Sequence, residues 1–411
     1  MMRIATPLLA AILTQVAAVV DAAPAAPLHW VQLGPGGAAE LRAMTEAAEC
    51  PTAMIDGVSY NLTQRAAPDA NFARVCAMTL PVGARVATLE GAAVPLPKAA
   101  PERILVIGDT GCRIEGNFTQ ACNDPDKWPF ARIASEAAGL KPDLTIHVGD
   151  YDYRESPCPA GNSGCAGSAW GNNGPSWEAD FFTPAAPLLA AAPFVFVRGN
   201  HEECARFGAG WLRLLGPLPL LPGAPCTDHI APYAIPLPGM TLAVMDDATA
   251  PDTAAPRDLV QLYRGDFSAL KATPGPVWLT THRPLSGYVL VPPFIPAGGN
   301  QTLLAAMRED GFPENIELMI SGHIHAFEAI NYLGNVAPQL IAGNSGDSLS
   351  NVPANLAGIN LGGLPVVSGL TLPGFGYLLL TRTDAGWNID VYDVHGAKQR
   401  SCFFAARKIG C

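Results

Sequence analysis

Side chains of types that bind metal ions follow five short apolar runs of the chain. They are Asp109, Asp150, Asn200, His282, His323 and His325. Carboxylate oxygens, an amide oxygen and imidazole nitrogens form a mixed ligand set that suits iron, manganese or zinc better than calcium or magnesium. A carboxylate that bridges two ions about 3.5–4 Å apart lets them hold both the nucleophile and the ester oxygens of an in-line displacement. These residue types therefore indicate a two-metal hydrolytic centre.

Each motif alone is weak evidence for such a centre. A Gly-Asp pair, such as Gly108-Asp109, usually forms a turn after a strand. The pair His323 and His325 is more informative, because residues two apart on an extended segment point the same way. The alternative for the whole set is a structural metal site or ordinary turns, but a structural site would not need so many oxygen ligands with open coordination.

The elements that must position these residues are short, buried strands. The apolar runs are Ile104–Ile107, Leu144–Val148, Phe194–Val197, Val277–Thr280 and Leu318–Ile320. Helix formers fill Trp128–Leu140 and Trp177–Ala191 between them. Strands that alternate with helices predict an α/β layered domain, whose sites gather at the carboxyl ends of the strands. Further strand-like runs predict a second sheet near the C-terminus; they are Gln339–Ile341, Tyr377–Thr381 and Trp387–Tyr392.

The N-terminal part of the chain is less regular. We expect a signal peptide over residues 1–22, because Arg3 precedes an almost wholly apolar run that ends before small residues. Residues 23–101 are expected to form a small, β-rich domain with a proline-rich linker, and residues 102–411 the catalytic domain. Within the small domain we expect a helix near Ala38–Glu49 and strands at Ala73–Leu80 and Ala84–Leu89.

The ordered set of motifs resembles the calcineurin-like metallophosphoesterase superfamily, and specifically its purple acid phosphatase branch. That branch has GDxG, GDxxY, GNH(E/D), VxxH and GHxH in this order. Here the segments are Gly108–Gly111, Gly149–Tyr153, Gly199–Glu202, Leu279–His282 and Gly322–His325. The resemblance spans about Ile104 to Phe327 and implies an α/β/β/α sandwich of two sheets with flanking helices.

The resemblance also implies a role for each matching residue. Asp109, Tyr153 and His325 would hold the first metal, Fe(III) in that branch, and Asn200, His282 and His323 the second, usually Fe(II), Zn or Mn. Asp150 would bridge the two ions, and Asn200 and His201 would also contact the substrate. His201 would hydrogen-bond the phosphate or protonate the leaving oxygen. The alternative for Tyr153 is an ordinary packed tyrosine in an enzyme with two Mn or two Zn ions.

The sequence departs from the branch at two places. GHxH is commonly followed there by Ala-Tyr-Glu-Arg, whereas this chain has Ala326-Phe327-Glu328-Ala329. Many members also have a further substrate-facing histidine after VxxH, and this chain has none between His282 and His323. Either His201 alone serves the leaving group or another histidine, such as His229, reaches in from a loop.

Several neighbouring residues have two interpretations each. Arg154 either contacts the substrate phosphate through its planar guanidinium or forms a salt bridge. Glu202 either orients His201 or is an acid favoured at a helix N-terminus. His147 is expected to be buried behind the site, and the turn Asn344–Asp347 receives no catalytic role.

Composition limits the partners and the compartment. A formal net charge of −11 argues against binding nucleic acid, which needs clustered Lys and Arg. The ten cysteines agree with export, and their arrangement suggests five local disulfides. The expected pairs are Cys50–Cys76, Cys112–Cys122, Cys158–Cys165, Cys204–Cys226 and Cys402–Cys411. Beyond the signal peptide we expect no membrane span, and the sequence leaves the oligomeric state open.

These observations predict a secreted or periplasmic phosphoesterase that hydrolyses phosphate monoesters by metal-bound hydroxide, with a small phosphorylated molecule as its substrate. One alternative is a phosphodiesterase that acts on nucleotides or phospholipid head groups. A second alternative is an exported protein that binds phosphate or metal without turnover, since the further histidine is missing.

Overall fold

The computed structural model describes residues 27–291 and 295–411, and the expected signal peptide lies outside the described residues. The strands are β1 (Leu28–Leu33), β2 (Ala39–Thr45), β3 (Thr52–Ile55), β4 (Val58–Asn61), β5 (Thr63–Ala66), β6 (Arg74–Thr79), β7 (Ala87–Leu89), β8 (Ala92–Ala93), β9 (Arg103–Ile107), β10 (Ile114–Glu115), β11 (Phe118–Thr119), β12 (Leu144–His147), β13 (Phe194–Phe196), β14 (Tyr233–Leu237), β15 (Met240–Val244), β16 (Val277–Thr280), β17 (Val289–Val291), β18 (Ile295–Ala297), β19 (Ile316–Ser321), β20 (Phe327–Tyr332), β21 (Gln339–Ala342), β22 (Asn360–Leu361), β23 (Leu364–Leu372), β24 (Gly376–Thr383), β25 (Gly386–Asp393), β26 (Lys398–Ala405) and β27 (Lys408–Gly410). The α-helices are α1 (Phe130–Gly139), α2 (Gly174–Trp177), α3 (Thr183–Ala191), α4 (Gly208–Leu214), α5 (Arg257–Lys271) and α6 (Gln301–Asp310). Short 3-10 turns lie at Pro35–Gly37 and Asn200–Glu202, and a π-turn at Glu178–Phe182 joins α2 to α3.

Two large sheets form the centre of the molecule. The first has eleven strands in the order β27-β26-β25-β24-β9-β12-β13-β1-β2-β6-β5, and the second has eight in the order β14-β15-β16-β19-β21-β20-β23-β22. In the first sheet β9, β12, β13 and β1 run parallel. In the second, β15, β16, β19 and β21 do so. All five strands predicted to carry the site are among these parallel strands.

The two sheets pack face to face, and helices cover their outer faces. Val106 on β9 and Leu318 on β19 belong to one buried apolar cluster between the sheets. The neighbouring Leu105 points the other way, into a cluster that contains residues of α1, α3 and α4. A third cluster joins the outer face of the second sheet to α5 and α6. Because β9 is buried on both faces, its sequence is a continuous apolar run rather than an alternating one. The predicted α/β/β/α sandwich is confirmed.

Four of the N-terminal strands extend the first sheet. β1 pairs in parallel with β13, and β2, β6 and β5 follow it outward. Val31 and Leu41 pack in the same cluster as Ile104 of β9. The N-terminal region is β-rich as predicted, and its strands β3, β4, β7 and β8 form a separate four-stranded sheet. The domain boundary near Pro101 stays a prediction.

The helix predicted near Ala38–Glu49 is wrong, because residues Ala39–Thr45 form β2. Alanine, leucine, glutamate and arginine favour a helix locally. Pairing with β1 on one side and β6 on the other overrides that preference. The Arg42 side chain is buried and donates to the carbonyl oxygens of Leu214 and Gly216, so β2 is also fixed to the end of α4.

All five expected disulfides are present. They join Cys50 to Cys76, Cys112 to Cys122, Cys158 to Cys165, Cys204 to Cys226 and Cys402 to Cys411. The second begins just after Asp109 and the fourth just after Asn200, so each closes a loop next to a predicted metal ligand. Across residues 27–291 and 295–411, the helices are too short or too polar to cross a membrane.

Candidate metal centre

The predicted ligands meet where the carboxyl ends of the two parallel strand sets face each other. Asp109 follows β9, Asp150 follows β12 and Asn200 follows β13 in the first sheet. His282 follows β16, and His323 and His325 follow β19 in the second sheet. One sheet thus supplies the oxygen ligands and the other supplies the imidazoles.

The side chains form two groups that share Asp150. In the first group, the Tyr153 hydroxyl lies 3.2 Å from Asp109 Oδ1 and 3.2 Å from His325 Nε2, and it donates to Asp150 Oδ2 at 2.7 Å. In the second group, His282 Nε2 lies 3.0 Å from Asn200 Oδ1 and 3.3 Å from Asp150 Oδ2.

A ligand atom of His323 belongs to this second group as well. One ligand atom each from Asp150, His282 and His323 lie within 4.8 Å of one another. The structure therefore brings together all seven predicted ligand residues, with Asp150 central as the resemblance implies.

The backbone at the centre adopts conformations that are costly for these residue types. Asp109, Asp150 and His323 have φ angles of 53°, 60° and 68°, in the left-handed region. Non-glycine residues rarely occupy this region, and such strain clusters at functional sites. In the part of the chain that the structure describes, only eight non-glycine residues have positive φ, so three of them meet at this one place.

Two glycines allow the ligands to approach one another. A Cβ on Gly199 would collide with the Asp150 carboxylate, and a Cβ on Gly322 would collide with the Asp109 carboxylate. Neither glycine has the positive φ that only glycine tolerates easily. Both positions therefore need glycine because a larger residue would not fit, and not because of the backbone conformation. Gly199 directly precedes Asn200, and Gly322 directly precedes His323.

The carboxylates of the cluster shift the pKa values of its buried imidazoles and of its phenol. Burial alone would lower the pKa of His282, but Asp150 beside it raises the pKa to about 10. Burial likewise opposes the charged form of His325, whereas Asp347 and Asp109 raise its pKa to about 9. Burial, Asp150 and Asp109 raise the pKa of the Tyr153 phenol well above its usual value. Carboxylates, imidazoles and a phenol that are buried together form the mixed nitrogen and oxygen ligand set that suits transition-metal ions.

His201 lies beside the cluster and is held by Glu155. Its Nε2 is 4.0 Å from Asp150 Oδ2, and its Nδ1 is 2.7 Å from Glu155 Oε1. The Nδ1 contact is close but is not aligned as a good hydrogen bond, since neither atom has a partner of good geometry. Arg206 approaches the same carboxylate at 3.3 Å. The ring is thus fixed with Nε2 toward the metal ligands.

Glu202 takes the second of the roles considered from the sequence, because it lies in the first turn of the 3-10 helix Asn200–Glu202 and caps the N–H of Gly199. Its carboxylate accepts from the backbone N–H groups of Asp150, Tyr151 and Gly199 at 2.9–3.0 Å. It therefore ties the loop after β12 to the loop after β13. Sequence reasoning missed Glu155 as the partner of His201, although it follows Tyr153 by only two residues.

Arg154 lies outside the cluster and forms the salt bridge that was its alternative interpretation. Its Nε donates to Asp180 Oδ1 at 2.7 Å, the side chain is buried, and the guanidinium lies over Trp128. This arrangement leaves it without access to a substrate. His229 is likewise engaged elsewhere, because its Nε2 lies 2.8 Å from Asp266 Oδ2.

His147 is buried as predicted, with Nε2 2.9 Å from the Thr110 hydroxyl.

The turn that received no role supports the first group of ligands. Asp347 is fully buried, and its Oδ2 accepts from Arg113 and lies 3.5 Å from His325 Nδ1. The Arg113 guanidinium lies 4.7 Å from the centre of the Tyr153 ring. Asn-Ser-Gly-Asp is a common turn sequence, so only the pairing of distant segments reveals this function.

Arg283 and Asp252 are further residues that the sequence did not single out. Arg283 directly follows a ligand, and its NH1 lies 3.1 Å from His323 Nε2. Asp252 Oδ2 lies 2.9 Å from the same nitrogen and pairs with Arg283. The position of Arg283 next to His282 was the available signal, whereas Asp252 lies in an irregular segment between β15 and α5 and had none.

Comparisons with known proteins agree with the fold. The family model described as calcineurin-like phosphoesterase matches residues 102–327. No curated protein matches the sequence. A purple acid phosphatase, PPD1, from yellow lupin (Lupinus luteus) seeds is 14% identical, with a TM-score of 0.58 over 92% of this chain and 74% of that one. The structure of PhoD is 11% identical, with a TM-score of 0.52 over 94% of this chain and 92% of that one. These two structures share the architecture.

Proposed function

Since the chain belongs to the calcineurin-like phosphoesterase family, and is thus a metal-dependent phosphoesterase of the two-metal type, we propose that it hydrolyses phosphate monoesters in the manner of purple acid phosphatases. The observation that carries this proposal is the Tyr153 hydroxyl, which lies 2.7–3.2 Å from three predicted ligands, Asp109, Asp150 and His325. A phenolate ligand favours a hard trivalent ion, so we propose Fe(III) in the first group and Fe(II), Zn or Mn in the second. An Fe(III)–phenolate pair gives a visible charge-transfer band.

The chain's own residues divide the work of the reaction. Bound metal ions would supply positive charge for the phosphoryl group and an activated water. Asp150, which both groups of ligands share, would help to hold both ions. His201 presents Nε2 to the space beside Asp150, where it can donate a hydrogen bond to the phosphate or a proton to the leaving oxygen. Glu155 keeps Nδ1 engaged, so that Nε2 is the nitrogen available for this transfer.

Export fits the same proposal. All ten cysteines are paired in five disulfides, which persist outside the cytosol. We therefore propose a secreted or periplasmic location and a small phosphorylated substrate. The acidic net charge of −11 is compatible with an anionic substrate only if the metal centre provides local positive charge.

The test begins with a visible spectrum and metal analysis of one purified sample. A broad visible band with about one iron per chain supports Tyr153 as a ligand of Fe(III). Initial rates on p-nitrophenyl phosphate and bis(p-nitrophenyl) phosphate then compare monoester with diester. A colourless protein with two Mn or Zn ions that prefers the diester would replace this proposal with a phosphodiesterase.

A variant of His201 tests its role in proton transfer. His201→Gln should slow hydrolysis of an alkyl phosphate, such as glycerol phosphate, far more than that of p-nitrophenyl phosphate. General acid catalysis contributes about 10²–10⁴-fold, and nitrophenolate leaves without a proton. His229→Gln, a histidine engaged with Asp266, is the control and should leave both rates unchanged. Equal losses on the two substrates with His201→Gln would show that His201 does not protonate the leaving group.

A further inference from the structure

The three histidines of the centre reveal a common pattern of support. His282 has Nδ1 on the Val148 carbonyl oxygen at 2.8 Å and Nε2 toward the cluster. His325 has Nδ1 on the Ser348 carbonyl oxygen at 2.7 Å and Nε2 toward the cluster. In each ring one nitrogen is engaged by an oxygen acceptor outside the cluster, which leaves the other as the ligand. Metal-binding histidines are commonly oriented in this way.

His323 follows the pattern with a carboxylate in place of a carbonyl. Its Nε2 lies 2.9 Å from Asp252 Oδ2, outside the set formed by Asp150 and His282. By analogy with the other two rings, Nε2 carries the hydrogen and donates to Asp252. The ligand nitrogen of His323 is then Nδ1, the opposite choice from His282 and His325.

Asp252 is itself held firmly in place. Asn300 Nδ2 donates to its Oδ1 at 2.9 Å and also to the Ala250 carbonyl oxygen at 2.8 Å. Asn300 is 2% exposed, so this anchor is buried. Arg283 pairs with Oδ2 and is fixed in turn by its Nε, which donates to the Ala248 carbonyl oxygen at 2.9 Å.

The contact between Arg283 and the imidazole has a consequence for these hydrogens. The NH1 group of Arg283 lies 3.1 Å from His323 Nε2, yet both would be donors. A single ring nitrogen cannot donate to Asp252 and accept from Arg283 at once. The carboxylate resolves the conflict because it accepts from both, which places it between a cation and the ring.

We propose that Asp252 is a positioning residue that selects the tautomer and orientation of His323, so that Nδ1 of this ring binds the second metal ion. The inference rests on the proposed function in one respect, namely that His323 is a metal ligand. Loss of Asp252 would leave the guanidinium of Arg283 directly against the ring, where it would stabilise the opposite tautomer. The second ion would then lose an oriented ligand, whereas the first ion, held by Asp109, Tyr153 and His325, would not.

The test measures metal binding rather than activity. Zn²⁺ is titrated into metal-free protein by calorimetry, and bound metal is counted after dialysis. Asp252→Ala should weaken the second of two binding events by about 10–100-fold, the usual cost of losing such a partner, and leave the first unchanged. Asp252→Asn keeps an acceptor without the charge and should weaken the second event less. It also serves if the alanine variant fails to fold.

The matched control is Glu203→Ala. Glu203 lies 3.9 Å from the other terminal nitrogen of Arg283, so its removal also takes one carboxylate from beside the guanidinium without touching His323. Wild-type affinities in both Asp252 variants, or an equal loss in Glu203→Ala, would overturn the positioning role. A wild-type protein that binds fewer than two ions would instead contradict the proposed function, so the two failures are distinguishable.

Discussion

Gly199→Ala is the substitution with the most specific expected effect, because it adds one methyl group against the central ligand. Gly199 has φ −97° and ψ 173°, an extended conformation that alanine adopts without strain. The only obstacle is steric, since the added carbon would overlap the Asp150 carboxylate and backbone nitrogen. Overpacking of this kind costs about 1–3 kcal/mol of stability.

Gly199→Ala should reduce metal binding and activity more than its lower stability alone would. Asp150 belongs to both groups of ligands, so its displacement should weaken the binding of both metal ions rather than of one. The control is Gly265→Ala in the middle of α5, where an added Cβ meets nothing within 4 Å. That variant should be more stable by about 0.5–1 kcal/mol, because alanine favours the helix more than glycine does.

The assay combines urea unfolding of metal-free protein with metal counts and phosphatase rates. We expect Gly199→Ala to unfold at lower urea and to purify with little bound metal, and Gly265→Ala to unfold at higher urea with two ions bound. If Gly199→Ala retained both ions and wild-type activity, Asp150 would not be the shared ligand at the position described.

Two further predictions concern Tyr153 and His229. Tyr153→Phe should abolish any visible charge-transfer band and weaken the binding of the first ion. The second ion, held by Asn200, His282 and His323, should stay bound. An unchanged band would show that another residue gives rise to it. The hydrogen bond to Asp266 raises the pKa of half-buried His229, with Asp246 also raising it, while burial and Arg198 lower it. Its stabilising effect is complete below the unfolded value of about 6.5 and is lost as the pH rises through the higher folded value. Urea unfolding of His229→Gln between pH 6 and 8 should therefore show a flatter pH dependence than the wild type, and parallel curves would contradict this pairing.

Most of the core could be predicted from the sequence because its strands are buried on both faces. Val277–Thr280 was predicted with the bounds that β16 has, and the other four site-bearing runs differ from their strands by a few residues at most. Continuous apolar runs that end in glycine and a polar residue are local signals. β2 was mistaken for a helix because its conformation depends on two neighbours that local preference does not register.

The site was predictable only to the extent that its residues follow strands. Ligands at strand ends are fixed in space by the parallel sheet, so their sequence positions sufficed. Asp252, Asp347 and Glu155 act from loops. Their proximity to His323, His325 and His201 arises because loops that are far apart in the sequence follow strands of the same sheet. Arg154 is the opposite case. It directly follows Tyr153 in the sequence, but its side chain pairs with Asp180 and not with the metal ligands.

The order of strands in the first sheet bears on how the polypeptide folds during synthesis or export. β1 is made early, but its parallel neighbour β13 and the strand β24, which flanks β9 on the other side, are made much later. Such non-local pairing slows folding and leaves strand edges exposed in the meantime. The N-terminal strands can therefore take their places only after residues 194–196 have emerged, and the Asp109-bearing strand gains its second neighbour only when residues 378–381 arrive. The strand that carries Asp109 would therefore complete its pairing only near the end of synthesis.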